Sequence, residues 1–436
     1  MILSPGSGLS GAAVAATVAL CVIATGCGRS LPGATSGQAI ADGGGYLLTA
    51  DSATLETGIT FKALGDSALR IARADATTSV IAAPADTIAG AFGYKSDQPM
   101  VDILFRLEQT HHTPRGGITL NPLEIYIWPL PAETTSPLLE ARIANGYITP
   151  VESRRYSWPV VNDEPQWSLA ALEVALAGGS QQYCRRITPV VDNLTKTAAT
   201  MMQNHATGLY ESLPRHFAGQ NAGMPSWATP TDLFQTMTLC HNVAWYGVAQ
   251  ARQAVDSTLT RRHKRLTNNT ATVPDSLGRI IKTRFWMPNR GQLSAMLYGS
   301  PETPLQLAAT DNSAQALAII TGLAPKPMAQ AIVRRTPATR TGVTETYPLL
   351  TPAPQGSATG NMLLQTLWAV ACCRSDNPAA ADMAIAGLLL QRLRHLASTS
   401  DLTPTISRPV TTIIARCLAG ISFHPDGIAF NPYVPH

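Results

Sequence analysis

Hydrophobic and polar positions divide the chain into two textures. Between residues 46 and 160 the apolar residues come in short runs: "YLLTA", "GITFKAL", "ALRIARA", "SVIAAP", "VDILFRLE", "GITL" and "LEIYIWPL". Pro and Gly punctuate these runs, a pattern that predicts an irregular sheet with long loops. The clearest strand candidate is Leu123 to Trp128, where apolar and polar residues partly alternate before Pro129. From about residue 166 the spacing changes to threes and fours, the period of a helix face. "SLAALEVALAGG" predicts a helix stopped by Gly. In "PVVDNLTKTAATMMQNHATGLYESL", Val191, Leu194, Ala198, Met201, His205 and Leu209 share one helical face. A long helix is expected to enter at Pro230 with Asp232 in its first turn. "NSAQALAIITGL", "PMAQAIVRR", "GNMLLQTLWAVACC", "PAAADMAIAGLLLQRLRHLAS" and "PVTTIIARCLAGI" add further helices.

These patterns predict a predominantly helical α+β protein, with a β-rich N-terminal part and a helical C-terminal half. Three regions are expected: a Gly/Ala-rich arm over 1–45, a β-rich lobe over 46–165 and a mainly helical lobe over 166–436. No repeat of fixed period is visible.

The arm holds the most apolar stretch, "GAAVAATVALCVIATGCGRS" at 11–30. Its Ala24-Thr25-Gly26-Cys27 is similar to the cleavage and lipidation site of a bacterial lipoprotein. Residues 1–10 carry no Lys or Arg, however, whereas an export signal normally begins with positive charge. The apolar core is also shorter than the roughly 20 residues a membrane-spanning helix needs. The run from Ala12 to Ile23 is therefore expected to be retained and covered, with Cys21 and Cys27 as free thiols. Gly6-Ser7-Gly8-Leu9-Ser10-Gly11 satisfies G-x-G-x-x-G, but no strand of adequate length precedes it. No acidic residue follows before Asp42, so the dinucleotide-binding reading fails on context.

Composition alters the picture in one respect. Only 14% of the 436 residues are charged, against about 25% in a typical soluble domain, so either much of the surface is covered by other subunits or uncharged polar groups, the abundant Thr among them, keep it soluble. Cations comprise 26 Arg and 6 Lys, a bias that fits interface cores or a GC-rich genome equally. The cysteines at 21, 27, 184, 240, 372, 373 and 417 form no framework and no C-x-x-C pair, which predicts reduced thiols.

No established catalytic motif is present. The nine histidines show no metal-ligand spacing, and G-x-S-x-G and Walker A sequences are absent. His205 and His241 are expected as hydrogen-bonded histidines on helix faces. An acid/base pair drawn from the 28 carboxylates stays open, because such partners need not be close in the chain. No catalytic residue, metal or cofactor is assigned. The clearest electrostatic feature is 252–290, with nine cations against Asp256 and Asp275. Arg261, Arg262, Lys264, Arg265, Lys282, Arg284 and Arg290 are the candidates for contacting phosphate, RNA or a shell.

Two segments resemble a known family. Pro230 to Gln253, "PTDLFQTMTLCHNVAWYGVAQARQ", and Gln315 to Pro325, "QALAIITGLAP", are similar in order and spacing to the clamp proteins of turreted reoviruses. That resemblance implies a non-enzymatic capsid subunit, a clamp or decoration protein of a double-stranded RNA virus. It would sit in the virion and host cytoplasm and hold shell subunits and copies of itself together, with double-stranded RNA as a further partner and no membrane. Two other readings stand beside it: an exported bacterial lipoprotein or secreted hydrolase, and a nucleic-acid-binding protein that uses 252–290.

Overall fold

The computed structural model describes residues 47–48, 51–55, 57–65, 67–82, 98–109, 121–129, 132–149, 163–212, 235–262, 273–300, 302–339, 342–348, 361–398 and 408–434. The arm, including Ala12 to Ile23 with Cys21 and Cys27, lies outside them, as does "GITL". The expected class is observed: a small β-rich part first, then a mainly helical protein.

Five strands, β1 (Leu47–Leu48), β2 (Ser52–Thr54), β3 (Thr60–Leu64), β4 (Ala68–Ala72) and β5 (Thr78–Ala82), form an antiparallel meander in sequence order. Its central strands alternate as the sequence predicts, with Phe61 and Ala63, then Leu69 and Ile71, turned inward. That face packs on helix α1 (Pro99–Gln109).

From α1 onward, helices alternate between two concentric layers. The odd-numbered members are α1, α3 (Ala132–Glu140), α5 (Gln181–Met201), α7 (Val273–Phe285), α9 (Lys326–Arg335) and α11 (Pro378–Ser398). The even-numbered members are α2 (Pro122–Ile127), α4 (Glu164–Ala177), α6 (Leu239–Arg262), α8 (Asn312–Ile320), α10 (Met362–Arg374) and α12, whose α-helical Pro409–Thr412 continues as a π-helical turn, Ile413–Leu418. Each even helix packs on the next, from α2 through α4, α6, α8 and α10 to α12. The Arg416 guanidinium of α12 then donates to the carbonyls of Tyr126 and Ile127 on α2, closing the ring. The sequence anticipates which helices go inside. Residues 312–320 of α8 are buried without exception, as are 363–372 of α10. The outer helices α5 and α9 instead keep an exposed polar face, with Arg185 and Arg186 on the former and Arg334 and Arg335 on the latter.

The first and last helices of the described residues are pinned together as well. Glu108, in the last turn of α1, accepts bonds from the backbone N–H of Val410 and Thr411 and from the Thr411 hydroxyl at the start of α12. Burial pushes its carboxyl upward, and the nearby Arg392 guanidinium opposes that shift.

Several sequence expectations are corrected. "VDILFRLE" and "LEIYIW" are helices α1 and α2, not strands. Met100, Ile103, Leu104 and Leu107 of α1 follow helical spacing toward the core. In α2, Pro122, Leu123, Ile125, Tyr126 and Ile127 are all buried, so no solvent face breaks the pattern and a short run mimics alternation. Asn121 caps this helix through Leu123 N–H at 3.1 Å, and Pro122 occupies its first turn. Helix α5 begins at Gln181 under a Ser180 cap and ends at Met201, so His205 and Leu209 fall beyond it. The predicted entry at Pro230 lies outside the described residues, and α6 itself begins at Leu239.

A repeated device, unseen in the sequence, ties loops to the inner ring. In α6, α8 and α10 the fourth helical residue is an amide that bonds both the N–H and the C=O of one residue in the preceding connection. Asn242 holds Tyr210, Gln315 holds Leu293, and Gln365 holds Val343. Each amide takes the place of a neighbouring β-strand. Gly342 makes the last of these feasible: its φ is +107°, and a Cβ there would stand 2.0 Å from the Gln365 Oε1.

Candidate functional site at the N-terminal mouth of the inner ring

The six inner helices run parallel, so the ring has two chemically different ends. At one end the residues that meet all come from helix C-termini. Arg416 also donates to Glu173 at 2.6 Å and to the Ile421 carbonyl at 3.0 Å, and its guanidinium lies 5.0 Å from the Phe423 ring centre. Arg374, at the end of α10, donates to the Ile320 carbonyl that ends α8. Burial, and Arg416 beside it, push the Arg374 guanidinium below its usual range. The buried Arg416 and the more exposed Arg374 thus satisfy carbonyls that the helices leave orphaned, at the end where the dipoles are negative. A hairpin, Ile421–His424 paired with Gly427–Phe430, covers this end, packing Ile421 and Phe423 on Trp128 and Ala415.

The other end gathers the N-termini. Their caps are Asn121 on α2, Asp311 on α8 and Asn361 on α10, and the last two each accept two backbone N–H groups. In the first turns of α4 and α6, Gln166 lies against the Cys240 thiol at 3.9 Å, and burial together with Asp311 pushes that thiol upward. Asp163, just before α4, is held by Arg142 at 2.6 Å. Chain length is also concentrated here. The connections entering inner helices span 110–121, 141–163, 202–238, 286–311, 336–361 and 399–408. Those leaving them span only 128–131, 178–180, 263–272, 321–325 and 375–377. Long connections on one face of a rigid scaffold are where binding and catalytic groups concentrate.

One carboxyl at this mouth stands apart. Glu124, in the first turn of α2, is flanked by the buried Leu123 and Ile125. Desolvation alone raises its carboxyl to about 7, and among the described residues no cation or hydrogen-bond donor meets it. A helix N-terminus favours the carboxylate, so burial outweighs the dipole here. The group is therefore poised to hold and give up a proton near neutrality.

The residues proposed from the sequence are placed elsewhere. Arg261 and Arg262 end α6, with side chains outside the described residues, and Lys264 and Arg265 lie outside them altogether. Lys282 and Arg284 occupy the last turn of α7, and Arg290 donates to the Ala308 carbonyl at 2.8 Å. Arg252, lower in the same segment, is engaged by Asp192 and Asp256. His241 is buried and accepts a bond from the Trp245 indole at 3.0 Å, as expected, whereas His205 is exposed. The five described cysteines are free thiols, and no cluster suited to a metal ion occurs among the described residues. No described helix is long and apolar enough to cross a membrane. Sequence reasoning missed Glu124, although "NPLE" carries the signal: an Asn cap, Pro at the first helical position and Glu two residues on.

Among the described residues, a parallel inner ring and an outer layer define an α/α barrel. No family model and no curated protein matches the chain. Among solved structures it is similar to a GH78 family rhamnosidase of Bacillus sp. GL1, with a TM-score of 0.50 and 15% identity over 77% of this chain. It spans 36% of that chain, about a third of the enzyme's length. It also aligns with the GH76A alpha-1,6-mannanase from Salegentibacter sp. HEL1_6 (TM-score 0.41, 12% identity, 72% of this chain and 97% of that one). A family 76 glycoside hydrolase from a bovine Bacteroides thetaiotaomicron strain aligns at a TM-score of 0.39 and 9% identity, over 82% of this chain and 83% of that one. Of these three, the rhamnosidase likeness has the highest TM-score, and at 15% identity it shows the fold alone.

That fold overturns the viral reading. The likeness to turreted-reovirus clamp proteins gives way to a barrel shared with a glycoside hydrolase, and with it go the non-enzymatic capsid role and the placement in virion and host cytoplasm. The described parts of the two segments that carried the likeness are inner helices α6 and α8 with their ends. Their apolar and aromatic texture comes from burial within one chain, not from a shell contact. Low overall charge has the same source in part, because an inner helix has no solvent face to furnish.

Proposed function

We propose that the protein is a hydrolase of glycosidic bonds, with Glu124 as proton donor and Asp311 as the ionised carboxylate partner. The observation that carries this reading is the Glu124 carboxyl, raised to about 7 by burial at the mouth of the barrel. Glycoside hydrolysis needs one carboxyl kept protonated and another kept ionised. Asp311 is chosen because its charge exceeds what capping requires: Asn121 and Asn361 cap neighbouring inner helices as neutral amides. It stands on the opposite side of the ring from Glu124, on the fourth inner helix against the first. In the reaction, Glu124 protonates the departing glycosidic oxygen as the C–O bond breaks. Water adds its hydroxyl to the anomeric carbon and passes its proton to Asp311. The exported hydrolase that the sequence raised is the form this reading takes, and the mass of the native N-terminus tests export.

The activity test is release of reducing sugar, or of aryl leaving group, from a panel of polysaccharides and aryl glycosides that includes an α-rhamnoside. Glu124→Gln and Asp311→Asn keep shape, and Asn preserves the cap. Loss of turnover in both variants with unchanged circular dichroism supports the assignment. Full turnover in Glu124→Gln would remove it.

A further inference from the structure

Several cations from the segment Arg279 to Arg335 collect beside the proposed site, whereas Lys326, at the start of α9, pairs with Asp376. From Arg279 to Arg335 the chain carries seven cations against two carboxylates, Glu302 and Asp311. Lys282 and Arg284 end α7, while Arg334 and Arg335 end α9. Outer helices run opposite to inner ones, so both of these ends lie at the mouth. The segment between them is clamped to that mouth by a continuous set of contacts. Gln306 donates to the carbonyls of Arg284 and Trp286, and Arg290 donates to Ala308. Ala295 N–H donates to Ala309, and Gln315 of α8 holds Leu293. Arg335 borders the hairpin that pairs Trp286–Met287 with Gln292–Leu293, since its Cγ lies 3.4 Å from where a Cβ on Gly291 would stand.

Arg284, Arg334 and Arg335 are exposed, and none of the three is paired with a carboxylate among the described residues. Helix dipoles favour cations at these C-termini, and Arg290, half-buried in the turn at 288–291, adds a cation held in place by its bond to the Ala308 carbonyl. Guanidinium groups are suited to two-pronged recognition of carboxylate and phosphate oxygens. We infer that the rim formed by Arg284, Arg290, Arg334 and Arg335 binds an anionic polysaccharide, one bearing carboxylate or phosphate groups, and feeds it to the mouth. This inference rests on the glycosidase reading for the nature of the ligand.

The test is binding, measured apart from turnover. Full-length Glu124→Gln protein is titrated with polygalacturonate for the carboxylate source, a teichoic-acid-type phosphate polymer for the other, and uncharged dextran as control. One or both anionic polymers should bind at least about tenfold more tightly than dextran, with affinity falling steeply as salt rises. Arg284→Gln/Arg290→Gln/Arg335→Gln should remove most of that preference and flatten the salt dependence. Arg334→Gln alone, exposed on α9, gives a smaller loss and guards against misfolding of the triple variant. Equal binding of dextran, an unchanged triple variant, or tighter binding of duplex RNA than of either polymer would each overturn the inference. Hydrolysis of a neutral glycan without anionic binding would sink this inference and leave the glycosidase reading intact. Anionic binding without hydrolysis of any glycan would do the reverse.

Discussion

The two ends of the inner ring are built from the same six helices, yet they are furnished for opposite purposes. At the C-terminal end the buried Arg416 and its neighbour Arg374 meet orphaned carbonyls and Glu173, and a hairpin lies over this end. The polar groups named there have partners, which is how a protein uses buried charge to hold helices in register. At the N-terminal end the caps are satisfied, but Glu124 is desolvated with no counterion or donor among the described residues. An unassisted buried carboxyl costs stability, and such costs concentrate where chemistry is done. One end is organised for cohesion, and the other is where the proposed proton transfer would take place.

The sharpest way to break that comparison is at Glu124. Glu124→Gln should lower turnover by about 10²–10⁴-fold, the usual range for losing a general acid, and leave the folded population intact. Arg416 should behave in the reverse manner. Arg416→Met strands Glu173 and three carbonyls, and is expected to cost about 3–5 kcal/mol by denaturant unfolding. Any turnover that survives in the folded fraction should be normal.

Acidity separates the ends as well. A carboxyl raised to about 7 in the folded state contributes stability that is fully present below the unfolded value near 4.5 and lost as pH climbs through about 7. The loss amounts to roughly 3 kcal/mol. Unfolding free energy should therefore decline across that window in wild type and stay flatter in Glu124→Gln. The rate should fall above about pH 7 as the donor loses its proton. The smallest expected effect concerns a loop clamp. Gly342→Ala drives a Cβ into the Gln365 amide, and is expected to cost about 1–3 kcal/mol. Gln365→Leu should cost a similar amount by leaving the Val343 backbone groups unpaired, and a cycle of the two changes should show that they are not additive.

Much of the helical architecture is legible in the chain. Inner helices α4 and α10 read as largely apolar segments and outer helices α5 and α9 as amphipathic ones, whereas inner α6 is long and turns polar toward its end. The clamp device is legible too, once its form is known: "DNSAQ" and "NMLLQ" each place a capping Asp or Asn four residues before a Gln. It was missed because the segments between the clamps differ in sequence, so no period stands out. Helix α2 was missed for another reason. Five of its six residues are buried, with Glu124 half-buried, and periodicity cannot separate a short buried helix from a strand.

By itself, then, the sequence determined where helices start and stop, through Asn, Asp and Ser caps, first-turn prolines and the Gly178 stop, because those signals act within a few residues. It also determined the meander's inward and outward positions, because a strand's period is two. Tertiary structure alone decided that the helices close into a ring, because closure depends on Glu108 and Arg416 meeting groups about three hundred residues away in the chain. It alone decided which carboxyl is the unusual one. The acidity of Glu124 is set by the water excluded around it, and exclusion of water is a property of packed neighbours that no local pattern encodes.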